Sequence, residues 1–168
     1  MIRVLLADDQ VMVSSGLAMI LASYPDISVT GEVGDGVSAV EMATTATCDV
    51  VLMDIRMPIL DGIGATARIR RSHPQLHVLV LTTFDRTDYL YEALQAGAEG
   101  FLLKSAPPAT LVEAVRTVAA GDALVDPVFT KTLISTFLRS RPAGAAPTDP
   151  RLERLTVRET DVLLLVAK

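Results

Sequence analysis

The chain has one cysteine, Cys48, so an internal disulfide is excluded. It has no apolar run approaching the ~20 residues that a membrane-spanning helix needs. The opening stretch Met1–Ala7 is apolar but stops at Asp8 and Asp9. A signal peptide requires a longer apolar stretch and a small-residue cleavage site. These absences lead us to expect a soluble, cytoplasmic protein with no membrane partner. An excess of positive charge is also missing: the formal net charge is −5. Residues 1–120 carry 14 acids against 8 Lys/Arg, and residues 121–168 carry 6 against 7. An acidic first part is a poor direct binder of phosphate backbones. Half of the residues are apolar and 21% are charged, enough to bury an ordinary core and unlike a disordered chain.

What is present is alternation. Ile2–Ala7 reads as a strand and Val11–Ala22 as a helix. Ile27–Val33 is the next strand, with Gly34-Asp35-Gly36 as its turn, followed by a helix over Val37–Thr45. Val50–Met53 and Val78–Leu81 are wholly apolar strands, separated by a helix over Gly64–Arg71. A helix over Thr87–Ala96 stops at Gly97. Gly100–Leu103 is a fifth strand, and Ala109–Ala120 a fifth helix that stops at Gly121. Strands apolar on both faces belong in a buried parallel sheet. Five β–α units over ~120 residues predict an α/β fold with a doubly wound, five-stranded parallel sheet.

In such sheets the ligand site lies beyond the carboxyl ends of the strands. Asp8 and Asp9 follow the first strand, Asp54 the third, Thr82 and Thr83 the fourth, and Lys104 the fifth. Folding therefore gathers carboxylates, a hydroxyl and an ammonium at one edge. Three adjacent carboxylates repel one another unless a cation intervenes. All-oxygen ligands suit a hard divalent ion such as Mg2+ or Mn2+. A carboxylate can attack phosphorus and form an aspartyl-phosphate. The metal and the ammonium would offset the charge of the transferring group.

The run Asp54-Ile55-Arg56-Met57-Pro58-Ile59-Leu60-Asp61-Gly62, placed between Asp8-Asp9 and Gly100-Phe101-Leu102-Leu103-Lys104, resembles the receiver of NarL/FixJ-family two-component response regulators. Leu81-Thr82-Thr83-Phe84-Asp85 and Ala96-Gly97-Ala98 support the resemblance, which covers residues 1–121. It resumes at Leu155-Thr156-Val157-Arg158-Glu159, which is similar to the start of a LuxR-type helix-turn-helix domain. The resemblance implies a CheY-like receiver in which Asp54 accepts a phosphoryl group from a sensor histidine kinase. Asp9, Asp54 and the backbone carbonyl of Arg56 would hold the metal, with Asp8 assisting. Lys104 would pair with the phosphate, Thr82 would move toward it, and Phe101 would rotate inward as a switch aromatic that works by packing. Homodimerisation and binding of promoter DNA would follow. Enzymatic turnover of other substrates is not implied, only self-phosphorylation and slow autodephosphorylation. One departure is Ser105, which stands where many members carry a proline in a cis peptide.

Each residue alone has a plainer explanation. An Asp-Asp pair is commonly a solvated cap, Thr82 can bond backbone, Phe101 can be core, and a lone Lys104 is commonly a surface charge. The joint placement favours function. Cys48 reads as a small buried hydrophobe, and His73 and His77 carry no function. The expected organisation is a receiver over 1–121, a helix plus flexible linker over 122–151, and the first part of the helix-turn-helix domain over 152–168. Asp126–Leu138 reads as the linker helix, with Val128, Phe129, Leu133, Ile134, Phe137 and Leu138 on its apolar face. Arg141–Pro150 is linker by composition. Thr156 and Glu159 form a capping box ahead of Val162–Val166. A terminal helix of ~12 residues is marginal alone, so a truncated chain is expected. The alternatives are a stand-alone receiver acting on a protein target, a haloacid-dehalogenase-type hydrolase and a phosphate-independent pseudo-receiver. The hydrolase would need D-x-D-x-T where Asp8-Asp9-Gln10 stands.

Overall fold

In the computed structural model, residues 1–45, 47–83, 87–130 and 134 are described. The chain divides into two units, Met1–Ile134 and Ser135–Lys168. The second lies outside the described residues, as do the expected linker over 141–150, the capping box, and Phe84 and Asp85 of the fourth-strand motif.

The first unit alternates strands β1 (Ile2–Ala7), β2 (Ile27–Val33), β3 (Val50–Asp54), β4 (His77–Thr82) and β5 (Gly100–Leu103) with helices. The helices are α1 (Val11–Ala22), α2 (Gly36–Thr45), α3 (Gly62–Ser72), α4 (Thr87–Gln95) and α5 (Pro108–Ala119). A sixth strand, β6 (Leu124–Val125), completes one sheet of order β2-β1-β3-β4-β5-β6, parallel throughout. The sheet is thus six-stranded, not five-stranded as the pattern suggested. The added strand is short, and it exists because β5 would otherwise present open backbone at the sheet edge. Leu124 N–H donates to the Glu99 carbonyl and Asp126 N–H to the Phe101 carbonyl.

Period-two alternation splits the apolar side chains between two layers. Leu5, Val51, Met53, Val78, Val80 and Phe101 pack against Ala39, Ala65, Ile69, Leu90 and Ala93 of α2, α3 and α4. Val4, Leu6, Val50, Leu52, Leu79, Leu81 and Leu102 pack against Leu17 and Leu21 of α1 and against Val112, Val115 and Val118 of α5. Both faces are covered, as the apolar centres of β3 (Val50–Met53) and β4 (Val78–Leu81) require. Each fully buried Leu or Val contributes ~1.5–3 kcal/mol relative to exposure. Cys48 is buried, and burial pushes its thiol above the usual range.

Strand order reverses beside β1, which pairs with β2 on one side and β3 on the other. A crevice must open there at the carboxyl ends. Asp8 and Asp9 leave β1 at that crevice, and Asp54 ends β3 beside it.

Candidate functional site

Asp8 is held by its own backbone and side chain. Its N–H donates to the Val33 carbonyl at 2.9 Å, and Oδ1 accepts from Gln10 N–H at 3.0 Å. Its carboxylate therefore stays under the sheet edge, where it is buried, while Asp9 is exposed. Asp54 sits in register with Leu81 and is 5% exposed. Carboxylate oxygens of Asp8, Asp9 and Asp54 all lie within 4.8 Å of one another.

Lys104 enters from β5. Its N–H donates to the Thr82 carbonyl at 2.7 Å, which fixes the start of its side chain beside the acids. Nζ reaches 2.7 Å from Asp8 Oδ2 and 3.0 Å from Asp54 Oδ1. Both contacts are ion pairs. With its side chain only 5% exposed, Lys104 is a buried cation held between two buried anions. Removing either sign from such a group leaves an uncompensated buried charge.

Asp54 is pushed above the ordinary carboxylate range. Burial is the main cause; the Lys104 ammonium opposes it, and the Asp8 carboxylate adds to it. One ammonium thus does not fully offset the pair. The donor set is all oxygen and close enough for one hard divalent ion, whose ligand oxygens stand at about 2.1 Å for Mg2+. The cluster fits a divalent cation.

Thr82 is buried at the end of β4, paired in register with Leu103. Arg56 is exposed, two residues after Asp54. Phe101 is already fully enclosed, with its ring edge-to-face on Phe129 at a centroid distance of 4.9 Å. The Lys104–Ser105 bond is trans.

The loop after Asp54 is pinned by backbone. Gly62 N–H donates to the Ile55 carbonyl at 2.9 Å, and Gly36 N–H to the Leu60 carbonyl at 3.0 Å. A Cβ on Gly36 would fall 2.3 Å from that same Leu60 oxygen. Asp61 caps α3, its Oδ1 accepting from Gly64 N–H at 2.7 Å. Leu60 N–H returns to the Pro58 carbonyl at 2.7 Å across Ile59, whose φ is +69°. That is a γ-turn of the rare positive-φ kind.

Residues 4–116 match the response regulator receiver domain family. The chain belongs to the response regulators. The regulator is 37% identical over 167 residues to the oxygen regulatory protein NreC of Staphylococcus carnosus, covering 99% of this chain and 77% of that one. It is 38% identical over 166 residues to the transcriptional regulatory protein YxjL of Bacillus subtilis, covering 99% and 75%. Among solved structures it resembles a LuxR-family two-component response regulator from Aurantimonas sp. SI85-9A1. That likeness has a TM-score of 0.76 and 29% identity over 81% of this chain and 97% of that one. The receiver of the response regulator NarL from Mycobacterium tuberculosis gives 0.69 and 36% over 71% and 97%. The NarL/LuxR branch and the receiver fold expected from the motifs are thus established. Among the regulator's described residues no helix is long and apolar enough to cross a membrane.

The structure brings Asp8, Asp9, Asp54, Thr82 and Lys104 to one end of the sheet. It also adds residues that the motif reading passed over. Asp126 is buried and Phe129 fully enclosed, both on β5's outer side. The only signal for them in the sequence was their place in a partly apolar helical stretch.

Proposed function

We propose that this regulator accepts a phosphoryl group on Asp54 from the phosphohistidine of a sensor kinase and thereby controls DNA binding. The observation that carries the reading is Lys104 Nζ, buried between Asp8 and Asp54. In the reaction a carboxylate oxygen of Asp54 attacks phosphorus. The P–O bond forms as the P–N bond to imidazole breaks, and the imidazole leaves with its electron pair. Lys104 then shares its charge with the phosphoryl oxygens, and the Thr82 hydroxyl donates to one of them. Asp8, Asp9, Asp54 and the Arg56 carbonyl would hold Mg2+, which supplies charge stabilisation on the transferring group. Burial of Asp54 slows the approach of water, so the acyl phosphate persists long enough to signal.

The output follows by analogy with relatives named as transcriptional regulators. Phosphorylation would bias the receiver between two states and bring two copies together, pairing DNA-binding segments on two half-sites. The divisions at residues 121 and 151 belong to this same proposal.

Incubation with a small-molecule acyl phosphate and Mg2+ tests it. Stoichiometric labelling that disappears with chelator and in Asp54→Asn is expected. Continuous turnover of the donor would instead point to an enzyme, and the absence of labelling would overturn the reading.

A further inference from the structure

The turn that carries Asp8 and Asp9 is closed by a ring of bonds that runs through two residues outside the acid cluster. Asp8 Oδ1 accepts from Gln10 N–H at 3.0 Å. The Gln10 carbonyl accepts from Ser14 N–H at 3.0 Å. Ser14 Oγ donates to Glu32 Oε2. Glu32 precedes Val33, whose carbonyl accepts from Asp8 N–H at 2.9 Å. The ring starts and ends on Asp8, and Asp9 lies on the stretch of chain it encloses. Its one link between two side chains is Ser14–Glu32.

β2 is shaped for this link. Its pairing with β1 joins Val29 to Val4 and Gly31 to Leu5, which leaves Thr30 as an extra residue. An inserted residue turns every later side chain to the opposite face. Ile27 and Val29 pack in the layer of α1, whereas Val33 packs in the layer of α2. Glu32, paired with Leu6, therefore takes the α1 face. There it meets Ser14, which is 4% exposed.

The turn has little else to hold it. Gln10 gives α1 no side-chain cap, and the first turn of α1 has no acidic residue. Asp9 is exposed, so its backbone rather than packing decides where its carboxylate stands. Mg2+ demands near-octahedral oxygen geometry, and groups that hold metal ligands from behind change affinity by ~10–100-fold.

We propose that Ser14 and Glu32 are positioning residues for the cation: through the ring they set the backbone of Asp8 and Asp9 at the spacing a divalent ion requires. The inference rests on the metal-dependent phosphoacceptor reading above.

Titration calorimetry of the full chain with Mg2+, in the absence of phosphodonor, tests this. Ser14→Ala and Glu32→Ala should each raise the Mg2+ dissociation constant ~10-fold, and the double variant should bind no more weakly than either single one. Glu32→Gln removes the charge but keeps an oxygen that can accept from Ser14 Oγ, and should bind Mg2+ as the unaltered chain does. Labelling from acetyl phosphate should need correspondingly more Mg2+ in the two alanine variants and reach the same plateau. Lower melting temperatures with an unchanged Mg2+ dissociation constant would overturn the positioning role, leaving a bond that only packs α1 on β2. Glu32→Gln binding as weakly as Glu32→Ala would also overturn it, since charge alone would then account for the loss. An unaltered chain that binds no Mg2+ and takes no label would overturn the phosphoacceptor reading and the positioning role with it.

Discussion

A Cβ at position 62 would stand 1.8 Å from the carbonyl oxygen of Asp54. Position 62 therefore has no room for a side chain beside the Asp54 backbone, and the glycine's conformational freedom is incidental. Gly62→Ala must move either Asp54 or the start of α3. We expect a loss of about 3 kcal/mol, at the upper end for single substitutions, measured by urea unfolding. Phosphodonor labelling should slow by more than the folded fraction explains.

Ile59 makes the opposite case. It is β-branched, 85% exposed and has φ +69°, a conformation that costs such residues about 1–2 kcal/mol. Ile59→Gly removes that strain and little packing. Net of glycine's greater unfolded-state entropy, stability should rise by about 1 kcal/mol, read as a higher unfolding midpoint. An unchanged or lower midpoint would show that the γ-turn is not under strain.

Lys104 is the cation held between two buried acids, so Lys104→Met should destabilise the metal-free receiver by about 3 kcal/mol. Addition of Mg2+ should recover much of that loss, because the cation answers the same repulsion between Asp8 and Asp54. Melting curves in chelator and in Mg2+ measure both arms. Equal destabilisation in the two conditions would mean that the acids do not share a cation site.

At the other end of the sheet, Asp49 accepts from Arg3 N at 2.8 Å, Nε at 3.0 Å and Nη2 at 2.6 Å. The Arg3 guanidinium holds the Asp49 carboxyl below its ordinary range. A lowered folded-state pKa gives stability that is present above the unfolded value and lost as pH falls through the folded one. Asp49→Asn should therefore lower the melting temperature at neutral pH, and the difference should shrink as pH drops below about 3.9. A difference that stays constant across that window would exclude the charge interaction as its cause.

Much of this architecture was legible because its periods are strong. β1, α1, β2 and β5 fall where alternation and helical spacing put them, and the wholly apolar cores of β3 and β4 announced burial on both faces. The acid cluster was legible for a different reason: a parallel sheet fixes which end of every strand faces the ligand, so residues far apart in sequence share one edge. Boundaries moved where side chains rather than periods decide them. α3 begins at Gly62 because Asp61 caps it, two residues before its apolar pattern starts. β6 and the Phe101–Phe129 contact left no pattern at all. Two residues are too few for a period, and an edge-to-face pair 28 positions apart depends on which backbone finds the open side of β5.

The most direct measurement is the location of the phosphoryl group. The chain would be treated with acetyl phosphate and Mg2+, the acyl phosphate trapped by reduction, and the peptides sequenced by mass spectrometry. The account predicts modification at Asp54 alone, lost on chelation of the metal. Modification at Asp8, Asp9 or a hydroxyl residue, with Asp54 intact, would contradict it.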